Sequence, residues 1–457
     1  MSVARKVCYF FHTFSRRRVM LDRMLSSALA AAIATSTSLI SLSADAGSLS
    51  YSTISAFDQT FFNSNARNVG GCLTLIEAGA SQPQRLLVGM PGSRNPSGGI
   101  NVGRTNPIEI LANGNWTPLP AGVQGSPTGD VSNSGYYGWR CDSFGTRHVV
   151  SQNGFLRAHV YNDGVIEQSL IPVLTGIPSN QAPNSAVAIH GNLVALGAPH
   201  DNGNRGRVHV WSRAGTTWTL LQVLDSGAGA TVGGQFGWSL DLYGEQLVVG
   251  APAEGTQGLV HAFRRNATTG LFDPMGSLLI AGGLDGATPA RIGHSVAINK
   301  LDGSTLIVGA PEARLAALAQ PTGAALIYRA NSGTASGWQP VARIEPPDGT
   351  TSARALGSTV ALRGLTALAA DPENLTQLAS TGAVYAYTLF AGAFTPASVV
   401  RYVRPTSSAD LFGWSLSFLD GDGIAVGAPG SFSISPPNGM VYQFGRDRLL
   451  SDGFETP

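Results

Sequence analysis

Short apolar runs alternate with glycine-rich polar turns along almost the whole chain, and the order in which they come repeats. In its best-preserved form the order is Phe236-Gly237-Trp238-Ser239-Leu240-Asp241-Leu242, a turn at Tyr243-Gly244-Glu245-Gln246, then Leu247-Val248-Val249-Gly250-Ala251-Pro252, then Gly258-Leu259-Val260-His261-Ala262-Phe263. The first two runs, rich in branched aliphatics around a tight turn, carry the signature of a β-hairpin. A third run ends on aromatics, as in Arg207-Val208-His209-Val210-Trp211 and Ala383-Val384-Tyr385-Ala386-Tyr387. A fourth opens on one, as in Thr217-Trp218-Thr219-Leu220 and Trp338-Gln339-Pro340-Val341. The pattern predicts four short antiparallel strands per unit. Aligned on the first glycine, the units begin at Gly70, Gly138, Asn184 (a substituted copy), Gly237, Gly293, Gly357 and Gly413. The Gly-Ala-Pro landmark decays to Ala369-Ala370-Asp371-Pro372 in the sixth unit and to Val150-Ser151-Gln152-Asn153 in the second, which makes those the least regular copies.

A single four-stranded sheet cannot bury both of its faces, whereas stacking such sheets radially buries them and leaves only short edges. The expectation is an all-β, seven-bladed β-propeller of four-stranded antiparallel blades. Composition agrees: 57 glycines supply the turns, and only 12% of residues are charged. The last unit supplies three strands and stops near Phe444, while the alternating run Leu49-Ser50-Tyr51-Ser52-Thr53-Ile54 precedes the first. This N-terminal run is expected to complete the last blade and close the ring. The predicted domains are a leader over 1–46, the propeller over 47–445 and a tail over 446–457.

The combination of Phe-Gly-x-Ser, Val-Gly-Ala-Pro, Gly-x-Val-x-hydrophobic-aromatic and Trp-x-x-x-x-x-Leu resembles the FG-GAP repeats of integrin α-subunit propellers. It is most similar to the short bacterial version found in exported proteins. The resemblance covers residues 49–445 and implies a propeller outside the cytoplasm that binds a partner, without naming it. Integrin blades often carry an Asp-x-Asp-x-Asp-Gly calcium loop, because calcium needs six or more oxygens. The nearest match here, Asp420-Gly421-Asp422-Gly423, has two carboxylates. It is expected to be an Asp-Gly turn, with Asp420 and Asp422 the candidate ligands should calcium bind; no other cofactor is expected.

Arg16-Arg17-Arg18 and Arg23, an apolar stretch from Leu25 to Ile40, and Ala44-Asp45-Ala46 follow the order of a secretory signal. Met20 and Met24 are alternative starts, and Ser15-Arg16-Arg17-Arg18 also resembles a twin-arginine signal. No later stretch reaches the ~20 apolar residues of a membrane span. A secreted, periplasmic or surface-associated location follows. Removing the leader leaves Cys72 and Cys141, an even pair in an oxidising compartment, which favours one disulfide between the first strands of the first two blades.

The search for catalytic chemistry finds little. Gly293-His294-Ser295 has the look of a nucleophile elbow, but that motif needs a strand-to-helix turn, and this serine recurs as Ser239 and Ser415. His159, His209 and His261 recur at one position of the third strand and are expected to be structural. With a net charge of +1, part of it in the leader, the chain offers no footprint for nucleic acid. Trp139, Trp238 and Trp414, with Tyr136 and Tyr137, are either sugar platforms or filler between blades, and their repetition favours filler.

Function is then expected on loops, which vary while the strands repeat. Loops after the Gly-Ala-Pro landmark project from one face and carry Arg94, Asn95, Arg314, Glu373, Asn374 and Phe432. The expected role is non-catalytic recognition or adhesion, binding an extracellular protein or glycan through that face. The alternatives are a carbohydrate-binding propeller and, third, a hydrolase or lyase built on the scaffold, which would need carboxylates or histidines converging in the central channel.

Overall fold

The computed structural model describes residues 51–446 apart from 59–65, 95–101, 111–115, 119–134, 177–184, 315–319, 347–354, 373–381, 390–395, 403–410, 431–438 and a few shorter gaps. Seven four-stranded antiparallel sheets succeed one another along the chain as the blades of a propeller. The leader and all but the first residue of the expected tail lie outside the described residues. Among the described residues no helix is long and apolar enough to cross a membrane.

The seventh blade is built from both ends of the chain. Its outer strand, Tyr51–Asp58, pairs antiparallel with Met440–Arg446, placing Tyr51 opposite Arg446 and Asp58 opposite Met440. The ring thus closes by backbone hydrogen bonds. The two blades whose landmark has decayed are nevertheless complete, with second strands at Arg147–Gln152 and Thr366–Asp371.

The repeated glycines have a steric cause. Gly237, Gly293 and Gly357 have φ of +91°, +86° and +92°, a region that disfavours side chains. Each also abuts the Gly-Ala-Pro glycine of the preceding blade. A Cβ on Gly197, Gly250 or Gly309 would lie 1.9–2.0 Å from the carbonyl oxygen of Gly237, Gly293 or Gly357 respectively. The two glycines of the motif are therefore the two sides of one contact between blades. The recurring serine ties the same contact, since Ser239, Ser295 and Ser415 each donate to the next blade's glycine carbonyl (Gly293, Gly357 and Gly70) at 2.7 Å. Ser295 is thus a structural latch.

Between neighbouring blades lies a core of inward-facing aliphatic and aromatic side chains, such as Leu242, Val249, Phe236 and Phe263 between blades three and four. The contact between blades one and two differs. Its apolar part is small (Ile76, Leu87, Tyr137, Val150 and Tyr161), and Arg85 and His148 are buried nearby. A disulfide joins Cys72 to Cys141 across this contact, with their Cα atoms 5.8 Å apart.

The recurring histidines act as buried struts. His159 bonds Gln152 and Ser169, His209 bonds the Val173 carbonyl, and His261 bonds Glu254 at 2.8 Å.

Candidate functional site: the two mouths of the central channel

The first strands of the seven blades (Leu73–Ile76, Tyr137–Phe144, Val187–His190, Ser239–Tyr243, Ser295–Ile298, Thr359–Arg363 and Ser415–Phe418) surround a central channel. Two cavities lie along it and share seven lining residues, one from each blade: Leu73, Cys141, Val187, Leu240, Val296, Val360 and Leu416. These form an apolar collar. Each stands three positions after the aligning glycine or its substitute, so the repeat itself generates the ring.

On the side where the first strands begin, the cavity measures about 200 Å³ and is lined by Arg140, Trp238, His294, Ser358 and Trp414, among others. Trp139, Trp238, His294, Ser358 and Trp414 all directly follow the aligning glycine. They are half-buried, which corrects the expectation that the tryptophans fill space between blades. The position opens an innermost strand, whose edge faces the channel rather than a neighbouring sheet.

Arg140 arises from an irregularity of blade two. The register between its first two strands shifts between Tyr137 and Cys141, and the Arg140 amide donates to Ser151 Oγ at 2.9 Å in place of a ladder bond. Bulges of this kind re-aim side chains. Its guanidinium lies 5.9 Å from the Trp139 ring and 5.6 Å from the Trp414 ring, and those rings meet edge to face at 6.2 Å. Among the described residues it has no ion-pair partner, and the lining of this cavity contains no carboxylate. Burial lowers the Arg140 pKa to about 10, so it remains a cation at neutral pH.

His294 packs against Trp238 at 5.6 Å, and Arg291, which is paired with Glu312, covers Trp238 at 5.2 Å. His294 Nδ1 lies 3.1 Å from the Ser358 carbonyl, which fixes the proton on Nδ1 and leaves Nε2 with an open lone pair. Burial, reinforced by Arg291 and Arg140, pushes the His294 pKa down to about 3, so the ring is neutral.

Beyond the collar the second cavity is larger, about 430 Å³, and its wall includes Glu77, Asp142, Asp241, Asp420, Lys300 and Arg363. Here the buried charges are paired. Lys300 contacts Asp241, donates to the Leu242 carbonyl at 2.7 Å and lies 3.8 Å from Asp142. Asp241 also accepts the Ile298 amide at 2.7 Å, and Asp142 the Ile189 amide at 2.9 Å. Burial pushes the Asp241 pKa up against the pull of Lys300. Burial opposes the charge of Lys300 in turn, but the two aspartates outweigh it and raise its pKa. Asp420 accepts from Gln84 at 2.7 Å and pairs with Arg363 at 3.4 Å. Asp422 lies outside the described residues, and among those no cluster of three or more metal-ligating side chains occurs.

Of the loop candidates, Arg94 is exposed and Arg314 is partly buried, while Asn95, Glu373, Asn374 and Phe432 lie outside the described residues. Neither Arg94 nor Arg314 lines the two channel cavities. The residues that do converge, Arg140 and His294, lie at the channel ends of first strands rather than on the loops. The available signal was a departure within a strand: Arg140 stands where other blades have Ser239, Ser295 and Ser415.

No family model matches the chain, and no curated protein matches it. Among solved structures, it is similar to a Bacteroides uniformis protein described as a putative 6-phosphogluconolactonase, at 11% identity and a TM-score of 0.47, over 73% of this chain and 85% of that one. That protein is described as a putative enzyme, so the similarity gives no support to a non-catalytic role. The expectation of a non-catalytic recognition or adhesion module working through one loop face is accordingly withdrawn. At this TM-score the similarity carries no reaction or substrate to this chain.

Proposed function

We propose that the Arg140 mouth of the channel binds a ring-bearing anion, with the acidic sugar units of polysaccharides as the ligand class, and that His294 acts on it. The observation that carries this reading is the Arg140 guanidinium, held between two indole rings without a carboxylate partner. A cation so placed favours a carboxylate or other oxyanion. Indole faces flanking it suit the flat apolar side of a sugar ring.

His294 Nε2 is an acceptor for a ligand proton. Binding an anion would offset the repulsion from Arg140 and Arg291 that lowers the imidazole pKa, making Nε2 a stronger base when the site is filled. A carboxylate paired with Arg140 would also make the proton on its α-carbon more acidic. This combination fits a lyase better than a hydrolase, since no carboxylate lines the cavity. The FG-GAP resemblance and the secretory order of the first 46 residues support an exported setting in which such polysaccharides are met.

The test is calorimetric titration with uronic-acid oligosaccharides and neutral counterparts, alongside absorbance detection of a new carbon–carbon double bond. Selective acidic binding is expected, weakened by Arg140→Gln, with turnover lost and binding kept in His294→Ala. Equal affinity for neutral and acidic sugars, or indifference to Arg140→Gln, would overturn the reading.

A further inference from the structure

Blade one is basic on the side of the Arg140 mouth. Its first strand begins there at Leu73, its second ends there at Met90 and its third begins there at Arg104. Antiparallel pairing brings those three ends together, so Arg67, Arg94 and Arg104 share one end of the blade with the opening of the channel. From residue 59 to 108 the chain holds four arginines and one carboxylate, Glu77, which lines the opposite cavity. The fourth arginine, Arg85, stands at that opposite end near Asp163.

The other blades treat this place differently. At the end of the second strand, or in the turn just after it, blades three to six carry a carboxylate: Asp201, Glu254, Glu312 and Asp371. Each is engaged, by Arg207, His261, Arg291 and the Ala355 amide respectively. In the same turn blade one has Arg94.

The Arg67 amide donates to Ser93 Oγ at 3.1 Å, which sets Arg67 beside Arg94. Among the described residues no carboxylate pairs with either, and Arg67 Nε is buried without a hydrogen-bond partner. Burial lowers the Arg67 pKa, and the charge of Arg94 lowers it further. Two guanidinium groups side by side repel, and an anion across them relieves that repulsion while accepting from their N–H groups. Arg94 is exposed, so a ligand reaches the pair from solvent without an enclosed cavity. Gly71 and Cys72, just beyond Arg67 in the chain, line the Arg140 cavity. The basic end of blade one is therefore a rim of that mouth.

We propose that Arg67 and Arg94 form a second anion subsite on this rim, so that a polyuronate chain with one unit at Arg140 lays the carboxylate of a later unit across blade one. This subsite rests on the acidic-sugar reading of the mouth and adds that the ligand is a chain, not a single unit.

The test is calorimetric titration of the protein with galacturonic acid, its trimer and its hexamer. Affinity should rise about 100-fold from monomer to hexamer, and the hexamer should lose more of it as sodium chloride is raised. In the double variant Arg67→Gln with Arg94→Gln, the ratio of hexamer to monomer affinity should fall to the few-fold that repeated units give by statistics alone. Arg94→Gln by itself, at an exposed position that leaves folding intact, should lower the ratio about tenfold. Equal affinity for monomer and hexamer, or a length gain that survives the double variant, would overturn the proposal. If Arg140→Gln changed no affinity while the double variant still removed the gain, the reading of the mouth would fall and the subsite would stand.

Discussion

The two mouths of the channel are made by the same seven strands, yet they treat charge in opposite ways. Around Lys300 each charge meets its opposite, and the acids also accept backbone amides from neighbouring blades, as Asp142 does from Ile189 and Asp241 from Ile298. Around Arg140 the cation faces aromatic rings, and the nearest histidine keeps an open lone pair. Satisfied charge ties blades together; unsatisfied charge waits for a ligand. The contrast teaches that a cluster of acids in a cavity is weaker grounds for a site than one cation without a partner.

The largest effect expected is from acid. His294 and His148 titrate near 3 in the folded protein and His190 near 4, all chiefly through burial, against about 6.5 when unfolded. Between those values the unfolded chain binds more protons, so stability present above pH 6.5 is lost as pH falls toward 4, by about 3 kcal/mol for each of these histidines. Urea titrations across that range check the sum. Imidazole NMR sharpens the comparison, because His190, less deeply buried than His294 and with Asp241 partly offsetting the charge of Lys300, should protonate before it.

Cutting the disulfide comes next. Cys141 belongs to the collar that both mouths share, and the bond to Cys72 spans 69 positions of sequence. The double change Cys72→Ala with Cys141→Ala should lower stability by about 2–4 kcal/mol, read as a shift in urea midpoint. The change removes a tie from blades one and two only, so amide exchange should rise there first.

At the Arg140 mouth, Arg140→Gln should weaken acidic-sugar binding about 10- to 100-fold, or roughly 1.5–3 kcal/mol, with the unfolding midpoint unchanged. At the opposite mouth the signs exchange: Lys300→Met should leave ligand affinity intact and cost about 1 kcal/mol of stability, reduced because the amine is partly exposed. If Lys300→Met alone disturbed binding, the division of labour between the mouths would fail.

Most of the architecture was legible in the sequence because a steric contact repeats around the ring and leaves glycine on both sides of it at five of the seven blade contacts. Even the closing strand could be read from Leu49 to Ile54, since the last unit ended a strand short. The decay of the landmark at Ala369-Ala370 and Val150-Ser151 did not break the blades, as hydrophobic alternation in their strands sufficed. The site was less legible. Repetition argued for burying the tryptophans between sheets, but whether a side chain meets the next sheet or the channel depends on which edge of the blade it starts from. Arg140 is placed by a bulge confined to one blade, and no alignment of repeats shows where a bulge points. Arg85 and His148 gave no signal at all, because their burial exists only once two blades are packed.

The outer strand of blade seven, Tyr51–Asp58, is among the first segments of the propeller to be synthesised, and its partner, Met440–Arg446, is the last. Six blades can form as the chain emerges, but the seventh must wait for the final hairpin, and until then the early strand has no ladder to join. The ring therefore keeps a built-in check on completeness: a chain truncated before residue 440 leaves an open edge at blade seven and an unpaired strand at its start, both ready to be recognised as unfinished.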